Sequence, residues 1–241
     1  MPENPWRKRL DTIADLVPLD TRGVADIGYD HGYLLAKLAR SHATGPFIGV
    51  EIQPDAHTRA ATTLNAKTLK RLELRHGDAL TMLKPSEVDT LIIAGLGELK
   101  ILDMLDERRD VAESLKRLIL CPANFKGALR IGMAKRGWRC IDEDIAFDRE
   151  RFYPVTVFAR GPGHLDSPFD YVGPIIAQRE PRKLLAYLED LFGRTQGALN
   201  ATQRPVPGET KRDQRRRDYL ETIAQLPLAL KLLKKTLPAI P

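Results

Sequence analysis

The chain has 241 residues, enough to bury a full core as one or two domains, with 43% hydrophobic and 29% charged residues, a globular balance. It carries no long apolar run and no signal-peptide pattern, which argues against a helical membrane protein and predicts a soluble, cytoplasmic one. Its net charge of +6 is concentrated: from Arg179 onward thirteen basic residues stand against seven acids, so the tail alone is cationic and suits a polyanion such as nucleic acid.

Arg7-Lys8-Arg9-Leu10 leads into an amphipathic helix through Thr12-Ile13-Ala14-Asp15-Leu16-Val17, stopped near Pro18. A strand at Gly23 to Ile27 runs into the turn Gly28-Tyr29-Asp30-His31-Gly32 and a helix from Tyr33 to Arg40. Phe47 to Glu51 reads as a second strand ending on an acid, with Ile52 next in line. A helix from Pro54 to Leu69 precedes the strand Leu72 to Arg75 and the turn Gly77-Asp78-Ala79-Leu80, where Asp78 also suits a helix cap. Val88 to Gly97 is a fourth strand, continuously apolar as a strand buried on both faces should be, and it ends in a glycine loop. After a helix from Leu99 to Glu107 comes the strand Arg117 to Cys121, closed by Pro122. Asn124 is placed to cap the next helix, which runs to Lys135 and ends at Gly137. Trp138 to Phe147 and Phe152 to Ala159 read as an antiparallel pair.

Gly161-Pro162-Gly163 punctuates the chain and divides it into residues 1–163 and a basic helical region, 164–241. That region holds a helix from Ile175 to Leu199, a loop with Pro205, Pro207 and Gly208, and a helix from Glu209 to Leu233 that Pro227 should kink or break. Leu184, Leu188 and Leu191 on one, and Tyr219, Ile223, Leu226 and Leu230 on the other, form the seams of an antiparallel helical hairpin.

Alternating strands and helices predict a doubly wound α/β fold, a Rossmann-like sheet of five parallel strands and a final antiparallel pair, seven in all. Such sheets bind ligands beyond the carboxyl ends of their strands, where Asp26 to Gly32, Glu51, Asp78 and Ala94 to Gly97 all fall. Glu51 lies about 20 residues past the glycine turn, the spacing at which an acid reaches ribose hydroxyls. The turn itself reads Asp26-x-Gly28-x-Asp30-x-Gly32 rather than G-x-G-x-x-G. Carboxylates facing a helix N-terminus suit a cationic or hydroxyl-rich ligand better than a pyrophosphate. S-adenosyl-L-methionine has a sulfonium, an ammonium and a ribose and no phosphate. Cys121 and Cys140 lie far apart and make no metal-ligand cluster, so no metal is expected.

The motifs Lys8-Arg9-Leu10, Ala25-Asp26-Ile27-Gly28-x-Asp30-His31-x-Tyr33-Leu34, Ile93-Ala94-Gly95-Leu96-Gly97, Leu118-Ile119-Leu120-x-Pro122 and Val172-Gly173-Pro174 occur in this order from Trp6 to Leu191. Through them the chain resembles the bacterial tRNA (adenine-22) N1-methyltransferases, the TrmK-type family. The resemblance implies a class I methyltransferase domain followed by an antiparallel helical pair, S-adenosyl-L-methionine as cofactor, and tRNA or another structured RNA as partner. It implies that Asp26 and Gly28 shape the turn around the methionine part and Glu51 holds the ribose hydroxyls, with Gly32 and Ile52 also among the cofactor-binding residues. Asp78 and the Ala79 backbone would meet the adenine edge, and Ala94 and Gly95 would line the wall near the sulfonium. Asp30 is the candidate catalytic carboxylate, with His31 orienting the target base or a phosphate. Tyr29, Tyr33 and Phe125 are candidates to stack on it, and Arg7, Lys8, Arg9, Lys126 and Arg130 to bind RNA phosphates. Three positions depart from the family pattern: Tyr29 replaces a serine, Glu98 a glycine, and Cys121-Pro122-Ala123 a Gln-Pro-Asn, with asparagine displaced to Asn124. These departures keep open a non-catalytic RNA-binding protein on a methyltransferase fold. An NAD-dependent oxidoreductase is disfavoured by the acids in the glycine turn. The oligomeric state is open, a monomer being the expectation, and no membrane contact is expected.

Overall fold

Short runs rich in Val, Ile and Leu, each closed by a turn residue, become the parallel strands β1 (Val24–Ile27), β2 (Phe47–Glu51), β3 (Leu72–His76), β4 (Thr90–Ala94) and β5 (Arg117–Cys121). The longer β6 (Trp138–Asp148) and β7 (Arg151–Arg160) form a hairpin, and β7 pairs antiparallel with β5. The seven strands lie in the order β3-β2-β1-β4-β5-β7-β6. The computed structural model describes residues 6–41, 45–64, 68, 70–124, 127–201 and 211–237.

The helices are α1 (Arg9–Asp15), α2 (Tyr33–Ser41), α3 (Pro54–Thr63), α4 (Glu98–Glu107), α5 (Arg109–Ser114), α6 (Ala128–Lys135), α7 (Ile176–Arg179), α8 (Pro181–Ala201) and α9 (Lys211–Thr236), with 3-10 turns at Ala79–Met82 and Pro168–Tyr171. Successive residues of the central strands point to opposite faces. Leu91 and Ile93 enter one core layer with Ile101, Leu105 and Leu129; Ile92 enters the other with Ile13, Leu35 and Leu38. No helix among the described residues is long and apolar enough to cross a membrane.

Five local expectations change. The helix expected from Pro54 to Leu69 ends at Thr63, where Leu64 takes an extended backbone. Residues 109–114 form α5, which the sequence reading left out. Asn124 does not cap α6: Gly127 holds the N-cap position in a left-handed conformation, and the Glu98 carboxylate accepts from the N–H groups of Ala128 and Leu129 at 2.9 and 3.3 Å. The helix expected from Ile175 is divided at Glu180, because the ring of Pro181 disfavours a helical backbone in the residue before it. Pro227, in contrast, lies inside a continuous α9. Its ring faces solvent, while Ile223, Leu226 and Ala229 are fully buried in the seam with α8, and that packing offsets the lost backbone bond.

The helical region packs onto the sheet. Leu184, Leu188, Ile223 and Leu226 share a core with Ile131 of α6 and Ile145 of β6. A polar clasp reinforces it. Glu143 of β6 accepts from the N–H groups of Ile175 and Ile176 at 2.7 and 2.9 Å through one oxygen and pairs with Arg130 through the other. Arg179 pairs with Asp142 at 2.9 Å, and Lys183 with Asp144 at 2.6 Å.

Candidate active site

Three loops at the carboxyl ends of β1, β3 and β4 turn through left-handed backbone: Gly28 (φ 80°), Asp30 (φ 45°) and Gly32 (φ 72°), then Ala79 (φ 46°), then Gly95 (φ 82°). Glu51 ends β2 between the first two. Because β3, β2, β1 and β4 are neighbours in that order, these residues form one row along the sheet edge. The loops are tied to the sheet by their own backbones. Gly28 N–H donates to Val50 at 2.8 Å, Gly77 N–H to Glu51 at 3.0 Å and Gly95 N–H to Cys121 at 2.9 Å. The N–H groups of Gly28 and Gly95 are thus used internally, so these glycines contribute room and turn geometry rather than phosphate donors.

The room is visible at two glycines. A Cβ on Gly28 would meet nothing nearer than Glu51 Oε2 at 4.0 Å, and one on Gly95 nothing nearer than Arg9 Nη1 at 3.9 Å. Between them, at the end of β1, Asp26 is buried. Desolvation first, and the neighbouring Glu51 second, push its pKa up to about 7, with Arg9 pulling the other way. Two carboxylates, Asp26 and Glu51, and the Arg9 guanidinium thus surround the open backbone of the two glycines. Glu51 accepts from Gln53 N–H at 3.0 Å, which fixes its carboxylate, and Ile52 is exposed beside it. Asp78 is exposed at the N-terminus of the 3-10 turn, and its side chain makes no capping bond there.

Not every expected residue joins this row. A Cβ on Gly32 would meet Leu64 at 3.0 Å and Ala60 at 3.6 Å, so Gly32 serves the packing of α2 on α3 rather than the crevice. Tyr29 is buried in the core against Gly49 and Leu35, unavailable to a base. Arg130, expected on RNA, is packed inward against Glu143 and Thr156; burial works against its charge, but Glu143 holds it protonated. Arg7 pairs with Asp15, and Lys8 is exposed. Lys126 and Phe125 lie outside the described residues.

Asp30 and His31 do come together. His31 Nδ1 lies 2.8 Å from Asp30 Oδ2, and Arg59 donates twice to Asp30 Oδ1, at 2.8 and 3.1 Å. Partial burial opposes ionisation of Asp30, but the bonds from His31 and Arg59 outweigh it and hold its pKa below the usual range. His31 stacks on the exposed ring of Tyr33, centroids 5.6 Å apart and 19° from parallel.

A cleft of about 420 Å³ adjoins the row, lined by Pro122 to Asn124, Arg151, Tyr153, Tyr187 and Arg194 among others. Arg9 links the two: its guanidinium stands over the Tyr153 ring, 5.1 Å from the centroid. Sequence reading missed Tyr153, Arg151 and Arg194 because the cleft draws on a strand end, a hairpin and a helix far apart in the chain. Two departures find their place here. Asn124 Oδ1 lies 3.9 Å from where a Cβ on Gly97 would stand, so the displaced asparagine still faces the glycine loop. Glu98 is buried as the cap of α6.

A family described as a methyltransferase domain matches residues 6–156. The tRNA (adenine(22)-N(1))-methyltransferase of Bacillus subtilis (strain 168) is 30% identical over 189 residues, covering 75% of this chain and 78% of that protein. The crystal structure of the B. subtilis m1A22 tRNA methyltransferase TrmK matches with a TM-score of 0.72 at 26% identity, over 92% of this chain and 97% of that one. TrmK of M. capricolum, solved with S-adenosyl-homocysteine, shares the fold with a TM-score of 0.71 at 18% identity, over 93% and 97% of the two chains. The sheet order, the row of strand-end residues and these likenesses agree: the chain belongs to the methyltransferase-domain proteins and, among them, to the S-adenosylmethionine-dependent tRNA (adenine-22) N1-methyltransferase family.

Proposed function

We propose that this chain methylates N1 of an adenine, at position 22, in tRNA. The observation that carries the reading is the single row of Ala79, Glu51, Gly28, Asp26 and Gly95 along four neighbouring strand ends. Asp78 and Ala79 address the adenine of the cofactor, Glu51 its ribose, and Asp26 and the Gly28 turn its methionine end. Ala94 and Gly95 form the wall beside the sulfonium. Bound along this row, S-adenosylmethionine supplies an electrophilic methyl group.

The N1 lone pair of the target adenine forms the new N–C bond as the C–S bond breaks, and the bond electrons stay on sulfur. No base is needed to create this nucleophile, so the protein's task is chiefly positioning. N1 lies on the pairing edge, so the adenine must be unpaired or extruded to be reached. Methylation leaves the ring cationic. Asp30, kept ionised by His31 and Arg59, offsets that charge and can accept a proton from the exocyclic amine. His31, stacked on Tyr33, offers a surface that orients the base. Arg7, Lys8 and the basic helices contribute phosphate contacts.

The test is methyl transfer from labelled S-adenosylmethionine to unmodified tRNA, with the product nucleoside identified after digestion. N1-methyladenosine at position 22, reduced in Asp30→Ala with cofactor affinity retained, is the expected result. A different methylated nucleoside overturns the target, and cofactor binding with no transfer to any tRNA overturns the enzyme.

A further inference from the structure

One peptide unit is gripped from two sides, by the crevice and by the helical region. Gly127 precedes α6 in a left-handed conformation (φ 68°, ψ 1°). Its carbonyl accepts from Thr222 Oγ1 of α9 at 2.6 Å. The N–H of the same peptide, that of Ala128, donates to Glu98 Oε2 of α4 at 2.9 Å. The carbonyl and N–H of a trans peptide point in opposite directions, so the two partners hold it from opposite sides. Both are buried. Glu98 directly follows Gly97 of the glycine loop, whereas Thr222 belongs to the helical region. Here α9 lies close against the backbone: a Cβ on Gly127 would stand 2.8 Å from Thr222 Cβ and 3.0 Å from its Oγ1. Lys135, at the far end of α6, pairs with Asp218, one turn before Thr222, at 2.8 Å.

The residues just before this peptide form a wall of the crevice. Pro122, Ala123 and Asn124 line the cleft of about 420 Å³, and Ala123 N–H donates to the Leu96 carbonyl of the glycine loop at 2.9 Å. A small cavity of about 30 Å³ borders Glu98, Pro122 and Gly127, space into which an unheld peptide would relax. Thr222 has no need of Gly127 for the sake of its own helix. A helical threonine hydroxyl commonly donates to the carbonyl four residues back, and that of Asp218 stands at 3.0 Å. With one hydrogen to give, the hydroxyl has the Gly127 oxygen nearer. We propose that Thr222 is a positioning residue for methyl transfer. Through the Gly127–Ala128 peptide it sets Pro122 to Asn124 along the crevice, and so ties the wall of the site to the helical region. In-line transfer is sensitive to displacements of about 1 Å, which is why a contact remote from the chemistry matters to its rate.

This inference rests on the proposed methylation of tRNA. The test is single-turnover transfer on the full chain, at saturating tRNA and S-adenosylmethionine, with the folded fraction of each variant fixed by thermal melts. Thr222→Val keeps the shape and removes the donor, Thr222→Ala removes the same donor without adding bulk should the valine not fold, and Thr222→Ser keeps the donor. The expected result is a rate per folded molecule lowered about tenfold in Thr222→Val and Thr222→Ala and within about twofold of wild type in Thr222→Ser. Affinity for S-adenosylhomocysteine and KM for tRNA should stay within about twofold throughout. An unchanged rate per folded molecule, with only the melting temperature lowered, overturns the proposal in favour of a packing role. Serine as slow as valine does the same, because the methyl group and not the hydroxyl then matters. A raised KM for tRNA at an unchanged saturated rate overturns it in favour of an effect on RNA binding. Wild-type protein that transfers nothing to any tRNA overturns the proposed function itself and this assignment with it.

Discussion

Glu98→Gly restores the residue usual in the family and should weaken the protein. The Glu98 carboxylate is buried and takes the N–H groups of Ala128 and Leu129 at 2.9 and 3.3 Å. A hydrogen bond to a charged group contributes about 1.5–3 kcal/mol, and the longer of these two lies at the low end. The charge also meets the positive end of α6, worth about 0.5–1 kcal/mol. Glycine at the first position of α4 adds a penalty of up to about 1 kcal/mol. Against this, the variant no longer carries the cost of a buried carboxylate. The net expectation is a loss of about 2–4 kcal/mol, and about 1 kcal/mol for Glu98→Gln, which keeps one acceptor. Urea denaturation measures both variants, and calorimetry with S-adenosylhomocysteine checks that the native fraction keeps its affinity. A glycine variant within about 0.5 kcal/mol of wild type, or one that transfers methyl groups faster, would refute the capping role and make Glu98 an obstruction in the site.

Asp26 should make cofactor binding pH-dependent. Its carboxyl titrates at about 7 in the free protein, faced by Glu51 and Arg9, and it must be ionised to receive the ammonium. Binding therefore releases a proton. Affinity for S-adenosylhomocysteine should fall about tenfold from pH 8 to pH 6, and Asp26→Asn should flatten that slope. Arg130→Met strands the buried Glu143 and should cost about 3–5 kcal/mol in denaturant while leaving the salt dependence of tRNA binding unchanged. A shallower salt slope would return Arg130 to the RNA. Gly28→Ala places a side chain at φ 80° in the space before Glu51; about 1–2 kcal/mol of stability and much of the cofactor affinity should be lost, as thermal melts with and without ligand would report.

The fold was legible because its signals are local. Strands buried on both faces read as unbroken apolar runs, as at Leu91-Ile92-Ile93, and strand ends are marked by glycine or acid at Gly28, Glu51 and Gly95. What escaped depends on partners distant in the chain. Nothing near Arg130 announces Glu143, and its inward turn follows from the docking of α7 onto β6. Arg7, Lys8 and Arg9 are alike in composition; the packing of Trp6 on the hairpin decides which one reaches the crevice. Asn124 is a sound cap by residue type, but a carboxylate from α4 already holds the helix start. Pro227 should break an isolated helix, and only the seam with α8 explains why it does not.

The same distinction governs the cationic tail. Its bases are partly committed to pairs within the chain: Lys183 to Asp144 in a buried pair, and Arg179 to Asp142, Lys234 to Glu189 and Arg194 to Asp190 at the surface. Pairing leaves the net charge of +6 intact. The long-range field that draws a polyanion therefore survives, while fewer donors remain to fix its register. The two pairs to β6 also join the helical region to the sheet that carries the row of strand-end residues. On the proposed reading, a tRNA held by the helices would be presented to the crevice at a set distance. With a nucleophile that needs no activation, that constraint is the larger part of what the protein must provide.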